Sequence, residues 1–204
     1  MLDPPAGPPS AAPSTEAPPP RKPRKIFLLV GLVAAAALGV GLFTSVGTTQ
    51  TTGPPHEGGS VPSFSAPRLN GSGTVVVTAA GDGSPTVLLF FGRWCEQCHT
   101  ELPPLAAAIR HQSAAGGALA KVRVIGIDSE DTTSAGKGFI RSTGVQFPVA
   151  HDPNITITSG DFYFEGDPNA VFVRADGTIE AIVRGVISVD RFTDEERKLI
   201  PSGT

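Results

Sequence analysis

The stretch that decides the fold reads Val87-Leu88-Leu89-Phe90-Phe91-Gly92-Arg93-Trp94-Cys95-Glu96-Gln97-Cys98. Residues Thr86 to Phe91 form a nearly continuous apolar run, which is typical of a central strand covered on both faces. From Glu96 to about Gln112 the apolar residues recur at helical spacing, with one stripe made of Leu102, Leu105, Ala106 and Ile109. The only two cysteines of the chain therefore stand where a buried strand passes into a helix.

Cys95 and Cys98 have the position of a redox-active pair. A cysteine in the first turn of a helix meets unpaired backbone N–H groups and the positive end of the helix dipole, and both favour the thiolate. Cys98 lies one turn further on the same face and can close a disulfide with Cys95. We therefore predict Cys95 as the nucleophile and Cys98 as the resolving thiol, with their disulfide as the redox centre and no metal or organic cofactor. Glu96 adds a negative charge that opposes thiolate formation.

Three other interpretations of these residues remain open. The run from Cys95 to His99 also fits the attachment signature of a c-type haem. Met1 is the only methionine, so a second axial ligand would have to be one of the remaining histidines His56, His111 and His151. Zinc would need further ligands, and the sequence has no second cysteine pair. A purely structural disulfide at this spacing closes almost no loop and would stabilise the fold little.

The rest of the chain alternates strand and helix patterns. Asn70-Gly71-Ser72-Gly73 joins two short strands, and Ala175-Asp176-Gly177 joins two more, so each set predicts a hairpin. Pro103 and Pro104 are expected to interrupt and kink the first helix, and residues 151–165 have no clear pattern. We predict an α/β fold, a mixed sheet with helices on both faces, from these segments: Phe64–Leu69, Thr74–Thr78, Thr86–Phe91, Glu96–Gln112, Val122–Asp128, Thr132–Thr143, Val145–Ala150, Asn169–Arg174, Thr178–Arg184 and, capped by Ser188, Val189–Ile200.

The N-terminal part of the chain has the composition of a membrane anchor. Residues 1–25 are rich in proline and end in four cations, which predicts a disordered cytoplasmic tail. Residues 26–46 are apolar and long enough to cross a membrane, and we prefer an uncleaved signal anchor to a cleaved signal peptide because no clear cleavage site follows. Residues 47–60 are predicted to be a flexible linker to a globular domain at 61–204. The domain is then extracytoplasmic on a bacterial cell membrane.

The charge distribution excludes one class of partner. The chain carries 16 Lys and Arg against 19 Asp and Glu, for a formal net charge of −3. Four of the cations precede the apolar segment and are explained as a topology signal. No basic stripe with interleaved aromatic residues remains in the globular part, so we expect no nucleic-acid binding.

Trp94-Cys95-x-x-Cys98 after an apolar strand, followed by Glu101-Leu102-Pro103, resembles the thioredoxin superfamily and its membrane-anchored TlpA/ResA-like branch of thiol-disulfide oxidoreductases. The resemblance implies a thioredoxin-like fold over about residues 61–200. It also implies a cis-proline facing the disulfide, at Pro168, with Asp167 and Trp94 beside the substrate. Asp167 departs from the small or β-branched residue that is usual in the family.

The resemblance also assigns proton transfer. Glu101 matches the cavity glutamate of the ResA-like branch, which implies that it handles protons for the thiols; the plain alternative is a solvated helix acid. The buried aspartate of thioredoxins is replaced by Leu89, six residues before Cys95. His99 and Arg93 are expected to be exposed, and Trp94 to lie as a lid beside the disulfide.

The function implied is exchange of protein disulfides outside the cytoplasm. Acids around the cysteine pair favour a reductant, and the resemblance points to reduction of apocytochrome c cysteines during cytochrome c biogenesis, with electrons from a membrane-embedded donor. A disulfide oxidase or isomerase for secreted proteins, a c-type haem electron carrier and a non-catalytic binding module are the alternatives.

Overall fold

The computed structural model describes residues 53–200. It contains seven strands and three α-helices with these bounds: β1 Phe64–Pro67, β2 Thr74–Val77, β3 Thr86–Phe91, α1 Glu96–Ala115, β4 Arg123–Ser129, α2 Thr133–Thr143, β5 Val149–Asp152, β6 Asn169–Val173, β7 Ile179–Arg184 and α3 Val189–Lys198. None of the helices within 53–200 is long and apolar enough to cross a membrane. The predicted cytoplasmic tail and membrane anchor lie outside the described residues.

A five-stranded mixed sheet forms the centre of the domain. Its order is β5-β4-β3-β6-β7, with β3, β4 and β5 parallel to one another, β6 antiparallel to β3, and β7 antiparallel to β6. The predicted hairpins are confirmed, since β1 pairs with β2 and β6 pairs with β7. Every residue of β3 is buried, as the apolar run predicts for the central strand. This strand ends four residues before Cys95, so the middle of the sheet sets the position of the cysteine pair.

The two faces of the sheet are covered by different kinds of structure. Alternate residues of β3 point to opposite sides, because side chains alternate along a strand. Leu89 and Phe91 join a core that contains the buried side chains of α1, α2 and α3. Leu88 and Phe90 join a second core with the β1–β2 hairpin, Ile157, Phe162 and Phe164. The sheet is therefore flanked by helices, as predicted, but the three α-helices share the first core; on the second face the hairpin and the segment 157–164, which includes the π-helical turn Thr156–Asp161, take their place.

Helix α1 is continuous through its two prolines. It begins at Glu96 and ends at Ala115, so the predicted interruption at Pro103 and Pro104 was wrong. Each proline removes one backbone donor from the helix ladder. The apolar stripe nevertheless lies buried against the sheet, and this packing holds the helix through the region where the ladder is incomplete.

The remaining segments agree with the sequence patterns at their helix ends. Thr132 caps α2, whose last residue is followed by Gly144 in the left-handed conformation, and Ser188 caps α3 by accepting a hydrogen bond from Arg191 N. The segment without a clear pattern, 151–165, contains the end of β5 and a π-helical turn at Thr156–Asp161. In this turn the buried Asp152 carboxylate accepts hydrogen bonds from the backbone of Ile157 and Thr158.

Ordered contacts begin earlier than the composition indicates. Residues 57–60 were assigned to the flexible linker, yet Gly58 N donates to Ile179 O and Ser60 pairs with Thr178. Glu57 Oε1 also accepts a hydrogen bond from Ile182 N. This part of the predicted linker lies along the outer edge of β7, where unpaired backbone groups of an edge strand are available to it.

Candidate active site

The cysteine pair forms a disulfide at the start of α1. Cys95 is the N-cap of the helix, and its Sγ accepts a hydrogen bond from Cys98 N at 3.1 Å. The Cys98 N–H in the first helical turn therefore points toward the sulfur of Cys95, where it can stabilise a thiolate. Cys95 is only 2% exposed, so little of its sulfur is accessible to a partner.

The turn before Cys95 is held by hydrogen bonds on several sides. Trp94 is 48% exposed, and its indole Nε1 donates to Ser129 O at 3.0 Å. His99 Nε2 lies 2.7 Å from Arg93 O, and its ring lies against Phe139. Arg93 and His99 are exposed, as predicted. Trp94 thus stands at the rim of the site with its polar edge anchored and part of its apolar surface open.

A small cavity lies beneath the disulfide on the helix side of the sheet. It brings Cys98, Glu101 and Pro168 together, and its other lining residues are Leu89, Phe90, Phe91, Leu102, Leu105 and Asn169. The Asp167–Pro168 peptide bond is cis, as the family resemblance implied. Leu89 lies in the wall of the cavity, where thioredoxins have an aspartate. The only acid in the lining is therefore Glu101, which comes from the helix.

Glu101 is half-buried and faces this cavity. Its Oε2 accepts a hydrogen bond from Ile187 N at 3.2 Å. Burial raises the pKa of Glu101 to about 7, and the Ile187 N–H offsets part of that rise. A carboxyl with this pKa exchanges protons readily at neutral pH. The plain alternative of a solvated helix acid does not describe Glu101, because its carboxyl lies in the cavity beside Cys98.

Asp167 lies next to Pro168, but its carboxyl is turned away from solvent. Both side-chain oxygens are buried, and neither makes a well-aligned hydrogen bond. Burial raises the pKa of Asp167 to about 6, and the nearby side chains of Ser129 and Asn169 partly oppose this effect. Asp167 thus adds a buried acid to the flank of the site.

Sequence reasoning missed a group of polar residues behind the active-site turn. Asp131 Oδ2 accepts a hydrogen bond from Arg93 N at 2.7 Å. Asp128 is fully buried, and its Oδ2 lies 3.1 Å from His151 Nδ1. The signal was the pair of acids at the carboxyl end of β4, where parallel strands present their functional side chains. Within residues 53–200 no group of three or more His, Cys, Asp or Glu side chains has the geometry of a metal site.

The geometry distinguishes between two interpretations of the stretch from Cys95 to His99. Haem attachment uses both cysteines in bonds to the porphyrin and the histidine as an axial ligand. Here the cysteines are bonded to each other and the His99 ring is directed to the Arg93 carbonyl. This arrangement favours disulfide exchange over haem binding.

Comparisons with known proteins agree with the geometry. The sequence profile of the AhpC/TSA family matches residues 58–182, which is more than half of the chain. The thiol-disulfide oxidoreductase ResA of Bacillus subtilis is 25% identical over 186 residues, covering 90% of this chain and 98% of that protein. ResA of Oceanobacillus iheyensis is 29% identical over 111 residues, or 54% of each chain.

Solved structures show the same fold. A secreted Mycobacterium tuberculosis disulfide oxidoreductase, homologous to Escherichia coli DsbE, has a TM-score of 0.56 and 27% identity, covering 67% of this chain and 96% of its own. MTB DsbF has a TM-score of 0.58 and 26% identity, covering 69% and 99%. The chain therefore belongs to the AhpC/TSA family of the thioredoxin superfamily, and its fold and Cys95–Cys98 pair make it a thiol-disulfide oxidoreductase.

Proposed function

We propose that this protein is an extracytoplasmic reductant of protein disulfides. The observation that carries the proposal is the acid surroundings of the disulfide. Glu101 shares a cavity with Cys98, and Asp167 lies beside Pro168 with no cation paired to its carboxyl. Negative charge near the sulfurs raises the pKa of a thiol and disfavours the thiolate. A reduced pair with little thiolate stabilisation gives up its electrons readily, which is the property of a reductant.

The mechanism begins with the reduced protein. The Cys95 thiolate at the N-terminus of α1 attacks one sulfur of the partner disulfide, and the other partner sulfur leaves as a thiolate. Cys98 then attacks the Cys95 sulfur of the mixed disulfide, and the partner is released with both cysteines reduced. Two electrons pass to the partner, while the proton of the Cys98 thiol goes to the Glu101 carboxylate in the cavity. Trp94 and Asp167 flank the position of the incoming partner segment.

The proposed partner class is supported by the similarity to ResA. A ResA protein is similar to this chain across most of its length, and this similarity supports the proposal that the partner disulfides include those of apocytochrome c, reduced before haem attachment. Because Cys95 is only 2% exposed, a small unfolded segment such as an oxidised Cys-x-x-Cys-His peptide can approach its sulfur more closely than a folded surface can. The spent disulfide is then re-reduced by an electron donor embedded in the membrane.

The location follows from the N-terminal sequence. Residues 26–46 are the proposed single anchor, with the basic cluster before them on the cytoplasmic side. A fusion of alkaline phosphatase after the globular domain is then active in cells, and external protease removes the domain from spheroplasts. An inactive fusion together with full protease protection would place the domain in the cytoplasm and contradict the proposal.

A redox titration of the full-length protein in detergent against dithiothreitol tests the direction of electron flow. We expect a potential near that of thioredoxin, about −270 mV, or at least below about −220 mV. A value near about −120 mV, typical of a strong disulfide donor, would instead assign the protein as an oxidase. Reduction of an oxidised Cys-x-x-Cys-His peptide, compared with insulin, then tests the substrate class: equal kcat/KM for both would remove the apocytochrome preference.

A further inference from the structure

The backbone just before Cys95 is tied to the carboxyl end of β4. Arg93 N donates to Asp131 Oδ2 at 2.7 Å, and the Trp94 indole donates to Ser129 O at 3.0 Å. Cys95 N itself bonds Gly92 O at 3.1 Å, closing the turn. Asp131 is the only ionisable side chain in these contacts, and it is buried. A buried charge-assisted hydrogen bond is stronger and more directional than an exposed one.

A second carboxyl lies behind Asp131 and completes a network. Asp128 is 0% exposed, and its Oδ1 has no hydrogen-bond donor within reach, whereas its Oδ2 lies 3.1 Å from His151 Nδ1. An unsatisfied buried oxygen is costly, but a protonated Oδ1 is a donor rather than an acceptor. Burial, followed by the charge of Asp131 and a hydrogen bond between the two carboxyls, raises the pKa of Asp128 to about 8. The proton on Asp128 therefore accounts for the orphaned oxygen.

The network reaches the surface through His151. Thr133 Oγ1 lies 3.1 Å from His151 Nε2. One consistent direction of donation has Thr133 donating to His151, His151 donating to Asp128, and protonated Asp128 donating to Asp131. Arg93 N donates to Asp131 from the other side. Gly136 of α2 leaves the space that the Asp128 carboxyl occupies, since a Cβ there would lie 2.4 Å from Asp128 Oδ2. The absence of a side chain at Gly136 therefore leaves room for the Asp128 carboxyl.

We propose that Asp131 is a positioning residue for the nucleophile: its carboxylate, supported from behind by Asp128, fixes the Arg93–Trp94 backbone so that the Cys95 sulfur faces the N–H groups of α1. The proposal rests on disulfide exchange at Cys95 but not on the direction of electron flow. Loosening this turn moves the sulfur away from the helix N-terminus, where the dipole and free N–H groups stabilise a thiolate. The reduced protein then has a less acidic Cys95 thiol.

Two variants of equal charge distinguish the positioning of the Arg93–Trp94 backbone from the electrostatic effect of removing the Asp131 charge. Asp131→Asn and Asp131→Ala both remove a negative charge, but only Asn keeps a side-chain oxygen that can accept from Arg93 N. We expect iodoacetamide to alkylate reduced full-length Asp131→Ala at pH 7 at least five-fold more slowly than Asp131→Asn, with the Cys95 thiol of the Ala variant titrating at higher pH. Equal rates and equal titration curves for the two folded variants would overturn the proposal.

A second pair of variants keeps the test decisive if Asp131→Ala fails to fold. Asp128→Asn retains an N–H donor toward Asp131, and Asp128→Leu does not. We expect alkylation to slow at least three-fold in the Leu variant relative to Asn, and no such difference would refute the role of Asp128. Glu130→Gln is the control, because it removes a neighbouring exposed acid that does not bond the turn. If the alkylation rate changed as much in Glu130→Gln as in Asp131→Ala, the effect would come only from long-range charge, and the positioning role would be refuted.

Discussion

At the scale of single residues, the carboxyl near the disulfide comes from helix α1 rather than from strand β3, where thioredoxins have an aspartate. Leu89 occupies the strand position, and Glu101 supplies the acid from α1, on the same cavity as Cys98. Burial raises the pKa of Glu101 to about 7, so near neutral pH the carboxyl is divided between its two forms. It can therefore take a proton from the Cys98 thiol and return it when the disulfide is reduced again.

Replacement of Glu101 tests this role through a pH profile. Above its pKa the carboxyl has lost the proton that it donates to the leaving Cys98 sulfur during re-reduction, so the wild-type rate should bend near pH 7. In Glu101→Gln we expect that inflection to disappear and the rate of reduction by dithiothreitol at pH 6 to fall roughly tenfold or more. Stopped-flow tryptophan fluorescence of Trp94 measures the rate.

Glu165→Gln serves as the control for Glu101, because it removes an exposed acid from the loop before Pro168. Its profile should keep the inflection near pH 7. If Glu101→Gln also keeps it, the proton is handled by another group, and the cavity glutamate has no part in the exchange.

The order of the two cysteines gives a second prediction at this scale. In the proposed mechanism Cys95 attacks and Cys98 resolves the intermediate, so Cys98→Ser should accumulate a mixed disulfide with an oxidised peptide, whereas Cys95→Ser should not. Intact-protein mass spectrometry measures the adduct. Comparable adducts in both variants would mean that either sulfur can attack, and the assignment of Cys95 as nucleophile would be wrong.

At the scale of elements, β4 and α2 meet at a point that leaves no room for a methyl group. Gly136 of α2 lies over the Asp128 carboxyl of β4, and a Cβ at this glycine would come within 2.4 Å of Asp128 Oδ2. A Cβ at Gly138, two residues further along the same helix, would meet nothing within 4 Å. The two glycines lie on the same helix, but Gly136 is packed tightly against β4 and Gly138 faces open space.

Alanine substitutions at these glycines should have opposite effects. Gly136→Ala should destabilise the domain by about 1–3 kcal/mol, because the short Asp128 side chain is fixed by His151 and cannot move aside. Gly138→Ala should stabilise it by about 0.5–1 kcal/mol through the better helix propensity of alanine. Urea unfolding followed by circular dichroism measures both. Stabilisation by Gly136→Ala would show that β4 and α2 are not packed closely at this point.

At the scale of the whole molecule, several acids in the described part of the chain are largely buried and have no lysine or arginine paired to them. Burial raises the pKa of Glu196 in α3 to about 7, and the same cause raises those of Glu101, Asp128 and Asp167. Glu196 is 1% exposed and its Oε2 has no partner. A carboxyl whose pKa is higher in the folded state binds its proton more tightly there, so its contribution to stability is lost as the pH rises.

The domain should therefore be more stable at pH 5 than at pH 8. For Glu196 the loss begins near pH 4.5, where the unfolded chain ionises, and is complete just above pH 7, the pKa of the folded state. Glu196→Gln should flatten this dependence and stabilise the domain at pH 8 by on the order of 1–3 kcal/mol. Thermal unfolding across this pH range measures the effect.

Asp194→Asn provides the comparison for Glu196, since it removes an exposed acid from the same helix. This control should leave the pH dependence of unfolding unchanged. A wild-type domain that is equally stable at pH 5 and pH 8 would contradict the burial of these protonated acids.

The sequence by itself determined the local parts of the site. The apolar run of β3, the helical stripe of α1, the glycine-containing turns and the caps at Thr132 and Ser188 are all set by neighbouring residues. The spacing of Cys95 and Cys98 predicted a redox pair at a helix start for the same reason. The interruption of α1 at its prolines was predicted locally and was wrong, because burial of the stripe against the sheet holds the helix together.

Only the tertiary structure decided what surrounds the disulfide. It put Glu101 in a cavity with Cys98, and it covered the second face of the sheet with a hairpin and the segment 157–164. It also joined Asp131 to Arg93 across 38 positions of sequence. Such contacts depend on how the strands are ordered in the sheet, and no local pattern specifies that order. The cysteine pair was therefore readable from the sequence, and the family resemblance named Glu101 and Pro168, whereas the contacts of Asp128 and Asp131 behind the active-site turn appeared only in the structure.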